Sequence, residues 1–317
     1  RRDRGNDLRK LKTQKGKQTM TREIGMIAVG ALAVALTMSA HADSIWTGAK
    51  SAAWTDPGNW LENRVPGSGE RALFDRETSH ATIDLDGMSA VAEIAVSGEA
   101  APSLVFGTST GQKLVLDQGG RVSVGATVVR RQTVKATLCY DCAEQVKAAV
   151  HVSNDSSEPL VIYAYDGPVT GVTGWLGPWE IYFHGSGDVV KMGRDSVSGG
   201  GTHLRLCQDE GAKLEFAASG TFYSISTSGK GDRQHVQVNA GCILTTSNAG
   251  QIFNSRADGD ELWLSGEGEL NLSSSDVNAG CYLGWSGGSG AVTIDCSIRR
   301  IPGGMVTLGF WNATRYS

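Results

Sequence analysis

Cys139-Tyr140-Asp141-Cys142 is the one Cys-x-x-Cys spacing in the chain. Two thiols at that separation can grip zinc, cycle as a redox pair or close a small disulfide. A structural zinc site wants a second such pair or a matched His pair, and a thioredoxin-like motif wants a strand running into a helix; neither is present. The flanking Val134-Lys135-Ala136-Thr137-Leu138 alternates like a strand, which leaves a local Cys139–Cys142 disulfide or two free thiols. The carboxylates offer little more. There is no Asp-Asp pair, and Asp258-Gly259-Asp260-Glu261 and Asp209-Glu210-Gly211 read as turns ahead of strands, not as acid/base or calcium sites. The histidines (His41, His80, His151, His184, His203, His235) are scattered, with no H-x-x-x-H and no Ser/His/Asp arrangement legible. No catalytic residue, metal or cofactor is expected.

Aromatic residues are the better lead. Gly174-Trp175-Leu176-Gly177-Pro178-Trp179, with Tyr163, Tyr165 and Tyr182 nearby, breaks the rhythm of the chain around it. A loop leaving a rigid scaffold is a common place for recognition, and Trp and Tyr suit glycan or protein ligands. Trp175, Trp179, Tyr163 and Tyr165 are therefore candidate ligand-binding residues, with ordinary packing as the competing reading. Trp46, Trp54 and Trp60 form a second group, with a sugar platform or a structural cap as its two readings; the cap is favoured, because a hollow repeat fold must close its apolar end.

The elements that position these residues are strands. Glycine (42 residues) far exceeds proline (7), and helical periodicity is nearly absent beyond the first segment. Short period-2 stretches recur, among them Lys113-Leu114-Val115-Leu116, Lys213-Leu214-Glu215-Phe216, Glu261-Leu262-Trp263-Leu264 and Ala291-Val292-Thr293-Ile294. Glycine-led phrases begin at Gly211, Gly241, Gly268, Gly290 and Gly304, at gaps that shorten steadily along the chain. Gaps of roughly 20 to 30 residues suit one coil of a solenoid, whereas a β-sandwich would place strands roughly every 8 to 12 residues with hairpin turns. Val238-Asn239-Ala240-Gly241-Cys242 also recurs as Val277-Asn278-Ala279-Gly280-Cys281. A sandwich has no reason to reuse a turn, so the expectation is a solenoid with Cys242 and Cys281 above one another and Asn239 and Asn278 in a ladder.

The N-terminal segment reads as an address. Residues 1–19 are polar and basic and read as an untranslated or artefactual leader. Met20 opens a secretory signal over 20–42, with Arg22, an apolar run from Ile24 to Met38, and Ala40-His41-Ala42 as the cleavage site. Nine of 29 Lys and Arg and three of 33 Asp and Glu lie in residues 1–42, so the remainder carries 20 basic and 30 acidic residues, a net charge near −10. That excess argues against nucleic acid as a partner. No later stretch is apolar enough to span a membrane as a helix. The pattern continues to Leu308-Gly309-Phe310-Trp311, which leaves a truncated C-terminus open.

Ser44-Ile45-Trp46-Thr47-Gly48, then Trp54-Thr55-Asp56-Pro57-Gly58-Asn59-Trp60, then Val65-Pro66-Gly67-Ser68-Gly69-Glu70-Arg71-Ala72-Leu73-Phe74 resembles the N-terminal segment of secreted bacterial proteins with autotransporter-associated β-strand repeats. Glu70 stands where that family usually has aspartate. Gly185-Ser186-Gly187-Asp188 and Gly266-Glu267-Gly268-Glu269-Leu270-Asn271-Leu272 are similar to its repeats. The resemblance implies an all-β, right-handed parallel β-helix with a tryptophan-rich N-terminal cap over 43–75, repeats over 76–317, and export to the cell surface or beyond. It implies no activity. The expected role is a non-enzymatic structural or adhesive module whose partner is an extracellular glycan or a host or cell-surface protein. The alternative is a polysaccharide-binding or polysaccharide-cleaving β-helix.

Overall fold

The computed structural model describes residues 43–141, 149–168, 179–193, 202–227, 232–246, 251–254, 260–271, 281–283, 291–299 and 306–308. The period-2 stretches become short parallel strands, each hydrogen-bonded to strands one coil before and after it. Three rows result. The first holds β1 (Asp43–Ile45), β2 (Arg71–Phe74), β4 (Val91–Val96), the end of β6 (Lys113–Val124), β8 (Ala149–Asn154), β10 (Trp179–Gly185), β12 (Thr202–Gln208), β15 (Ser224–Thr227), β18 (Gln251–Asn254), β20 (Cys281–Leu283) and β22 (Val306–Leu308). The second holds β3 (Thr82–Ile83), β5 (Val105–Phe106), the starts of β7 (Gln132–Asp141) and β9 (Leu160–Pro168), β11 (Val189–Lys191), β13 (Lys213–Phe216), β16 (Arg233–Val238), and the starts of β19 (Glu261–Asn271) and β21 (Ala291–Arg299). The third row begins with the start of β6 and the ends of β7 and β9. It continues through β14 (Gly220–Phe222), β17 (Ile243–Thr246) and the ends of β19 and β21.

This is the expected all-β parallel solenoid. Along the first row Asp43, Arg71, Glu93, Arg121, His151, Tyr182, Arg205 and Ser226 are successive register partners. Each coil thus returns the chain to the same face after about 20 to 30 residues, as repeat folds of this kind do. Alternate residues point inward and fill the lumen, among them Phe74, Phe106, Phe183, Phe216, Phe222 and Phe253. Buried glutamines bind the backbone where the lumen turns a corner: Gln132 accepts from Leu104 N and donates to Pro102 O and Arg130 O, and Gln208 N donates to Gln234 Oε1. Unpaired peptide groups there would otherwise cost the fold.

The tryptophans cluster near the N-terminal end of the described coils. Trp46, Trp54 and Trp60 are each at most 2% exposed. Trp60 lies edge-on to Trp46 and Trp54, with ring centres 5.0 and 4.7 Å apart, and its indole N–H donates to Trp54 O at 2.7 Å. Phe74 carries the stack onward to Phe106, 5.0 Å away in the lumen. Asp56-Pro57-Gly58-Asn59 supplies the turn between them. Asp56 accepts from Gly58 N, and buried Asn59 accepts from Lys50 N and Ser51 N while donating to Ser51 Oγ and Ala53 O.

The repeated pentapeptide behaves differently from its expectation. Gly241, at φ +77°, turns the chain into β17 on the third row, with Cys242 N donating to Asn239 O, whereas Cys281 opens β20 on the first row. The two cysteines therefore occupy different rows and are not stacked. Asn239 donates to the Glu215 carboxylate at 2.7 Å instead of to another asparagine, and Asn278 lies outside the described residues. The first copy makes a tight turn at Gly241, where positive φ suits glycine, while Val277 to Gly280 lie outside the described residues.

Candidate functional site: the outer face of the first row

Outward positions of the first row alternate with buried Ala72, Ile94, Val122, Val152, Ile181, Leu204 and Ile225. Because neighbouring strands lie about 4.8 Å apart, each coil adds one outward side chain to a column parallel to the solenoid axis. The column reads Asp43, Arg71, Glu93, Arg121, His151, Tyr182, Arg205, Ser226, and its two halves differ in character.

In the early half the groups face solvent. Arg71 forms a two-pronged pair with Asp43, at 2.8 and 2.6 Å, which lowers the Asp43 carboxyl and raises the Arg71 guanidinium. Glu93 accepts from Ser123 Oγ at 2.7 Å. Arg121 is exposed and has no hydrogen-bond or ion-pair partner among the described residues. These residues, with Ala92 and Gly119, line an open groove of about 440 Å³.

In the later half the groups saturate one another. His151 Nδ1 lies 2.9 Å from His184 Nε2, and both rings stack with Tyr182. Tyr182 Oη donates to Glu180 Oε2 at 2.8 Å, while Arg205 donates from Nε (3.2 Å) and Nη2 (2.5 Å) to Glu180 Oε1 and from Nη1 to Ser226 Oγ. Burial opposes ionisation of Glu180, but the Arg205 and Tyr182 hydrogen bonds outweigh it and hold the carboxyl below its ordinary range. Burial pushes the Tyr182 hydroxyl up, as does the carboxylate beside it. Burial lowers the His151 imidazole, and the charge of Arg121 lowers it further.

A neighbouring column places Glu180, His203 and Ser224 in consecutive coils, with His203 Nδ1 hydrogen-bonded to Ser224 Oγ. Acid, imidazole and hydroxyl in a row is the composition of a nucleophilic triad. Here Ser224 is only 1% exposed, and both oxygens of Glu180 are engaged by Arg205 and Tyr182. A substrate carbonyl has no approach to that hydroxyl, and the His203–Ser224 hydrogen bond ties two adjacent coils. Among the described residues no three His, Cys, Asp or Glu side chains are placed to hold a metal ion.

The second row carries a comparable brace. The His235 ring stacks on Trp263 at 4.0 Å and its Nε2 lies 2.7 Å from Ser265 Oγ. Arg233 lies over the Trp263 ring at 5.0 Å while pairing Glu261 at 2.7 and 3.0 Å. With His235 stacked on its ring and Arg233 also over that ring, Trp263 is engaged within the row.

Of the candidate binding aromatics, Trp179 opens β10, the strand that carries Glu180, Tyr182 and His184, and Trp175 lies outside the described residues. Tyr163 is half-buried, and its carbonyl accepts from Lys191 Nζ at 2.9 Å. Tyr165 is corrected: it is 3% exposed and lines the lumen, with Lys191 Nζ 4.9 Å from its ring centre. The register with β7 shifts just upstream, Val134 to Thr137 on that strand facing Ile162 to Ala164, and Ala164 and Tyr165 are both buried. Cys139 is a buried free thiol whose Sγ donates to Thr137 O at 3.5 Å; Cys142 lies outside the described residues. Asp209 heads the expected turn, accepting from Ala212 N, with Gly211 at φ +97°.

Reading the sequence missed the Glu180–His203–Ser224 row and the Arg121 groove. The available signal was polar residues at alternate positions of Trp179–Gly185 and Thr202–Gln208, which becomes a column only once the coil length is known. Comparison with protein-family models, curated proteins and solved structures returns no match.

Proposed function

We propose that this chain is an exported, non-enzymatic structural and adhesive module of the bacterial cell surface, of the kind found in proteins with autotransporter-associated repeats. The observation that carries this reading is the later half of the first row's outer column, where side chains of successive coils from His151 to Ser226 stack on and hydrogen-bond one another. Such bracing stiffens a solenoid along its axis and suits it to hold a surface outward from a cell. The signal-like segment over 20–42 and the tryptophan segment support export. Cleavage of a polysaccharide finds less support, since the one acid–imidazole–hydroxyl row seen among the described residues is sealed by its own partners.

The test is to express the full chain in a Gram-negative host, separate cytoplasm, periplasm, outer membrane and medium, and sequence the N-terminus of the product. The expected product is exported and begins at Asp43. A cytoplasmic product that retains the segment from Met20 overturns the reading.

A further inference from the structure

The groove on the early half of the first row has a pattern that its structural role does not need. Its floor is short or bare: Ala92 on one coil, and Gly119 on the next at φ +77°, with no atom within 4 Å of where a side chain would begin. Along the floor the charges alternate by coil, Arg71, then Glu93, then Arg121. The backbones of the two arginines are thus two coils apart, about 9.6 Å, with Glu93 on the coil between them. Arg71 is already gripped by Asp43, whereas Arg121 offers its whole fork to solvent. A planar guanidinium without an acceptor is matched to a carboxylate, which it binds through two parallel hydrogen bonds. Glu93, between the guanidiniums, repels a second carboxylate and accepts hydrogen bonds from hydroxyl or amide N–H groups.

A pyranose unit in an extended glycan is about as long as one coil is thick. We propose that this groove binds a glycan strand bearing a carboxylate on every second sugar, laid along the solenoid axis, with Arg121 gripping one carboxylate and Glu93 receiving the hydroxyl or amide donors of the neutral sugar beside it. Arg71 takes the next carboxylate by exchanging it for Asp43. The alternation also explains how an acidic protein accepts an acidic ligand: the ligand's charges are spaced to miss the protein's own. The inference names a ligand for the adhesive module proposed above, and it is tested on purified protein, where export plays no part.

Titration calorimetry of the full chain with three hexasaccharides decides it: alternating glucuronate and N-acetylglucosamine, all N-acetylglucosamine, and all galacturonate. The alternating ligand is expected to bind tightest. Arg121→Gln is expected to weaken it by about tenfold or more, the loss of a charge-assisted pair, while leaving the melting curve at about pH 7.5, where His151 is neutral, unchanged. Glu93→Gln, which keeps an acceptor for Ser123, is expected to raise affinity for the all-galacturonate ligand. Equal binding of the neutral hexasaccharide, unchanged affinity in Arg121→Gln, or free glucuronate matching the alternating hexasaccharide overturns the proposal.

Discussion

Arg121 and Arg205 occupy the same column of the same face, three coils apart, and meet opposite fates. Arg121 stands in solvent beside a bare glycine, and nothing in the described structure accepts from it. The Arg205 side chain is 7% exposed and donates to Glu180 and Ser226 on the coils to either side. The difference teaches that a solenoid column is one geometry with two uses. Where cross-coil partners complete each other's hydrogen bonds the column becomes a brace, and where one member is left over it becomes a surface. Burial supplies the energetic contrast, because a charge removed from water must be paired whereas one left in water need not be.

The largest effect should separate the two arginines. Arg205→Ala leaves the Glu180 carboxylate buried without its counter-ion and is expected to cost about 3–5 kcal/mol, measured by urea denaturation. Arg121→Ala should stay within about 0.5 kcal/mol of the parent, as exposed substitutions do. Equal losses would break the comparison. The double variant Glu180→Leu/Arg205→Met should recover most of the loss, since apolar groups of similar size can replace a buried ion pair.

The early half owes its stability to the lumen rather than to its column. Trp60→Ala should therefore cost about 3–5 kcal/mol, whereas Arg71→Ala, which breaks a partly exposed pair, should cost about 1 kcal/mol or less. Thermal melts of the two variants test that ranking.

Acid should act on the boundary between the halves. The folded-state pKa of His151 lies below its ordinary value of 6.5, through burial first and Arg121 second. The unfolded chain then takes up a proton before the folded one does, so the stability due to neutral His151 is complete above that ordinary value and is lost as pH falls below it. Melting temperatures between about pH 7.5 and 5 should decline, with a shallower slope in His151→Gln and a partly reduced slope in Arg121→Gln. The smallest effect concerns Cys139, whose thiol burial pushes up to about 12. It should resist iodoacetamide at about pH 8 in the folded protein and react once urea exposes it.

Much of this was legible from local pattern. Alternating residues in Lys213–Phe216 and Glu261–Asn271 announced strands, and the spacing of glycine-led phrases announced coils. Trp46, Trp54 and Trp60 announced a buried cluster, because three large apolar rings around an Asp-Pro-Gly-Asn turn need one another for burial. The pentapeptide repeat misled, since Cys242 leads into the third row and Cys281 opens a strand of the first, so matching local sequence did not place the two cysteines on one row. Tyr165 misled because strict alternation fails there: Ala164 and Tyr165 are consecutive and both buried. Glu180, His203 and Ser224 could not be aligned from sequence, because coil length changes along the row: the step from His151 to Tyr182 takes more chain than either Glu180 to His203 or His203 to Ser224.

The amino-acid sequence by itself determined the strand rhythm, the turns, the apolar lumen and the acidic exterior, because each of these is settled within a short stretch by alternation, by positive φ at glycine and by net charge. The tertiary structure alone decided which outward residues become neighbours. Coil length varies with every loop, so register is set by the packing of lumen side chains against the coils before and after. That packing sealed Arg205 between Glu180 and Ser226, and left Arg121 with an open groove.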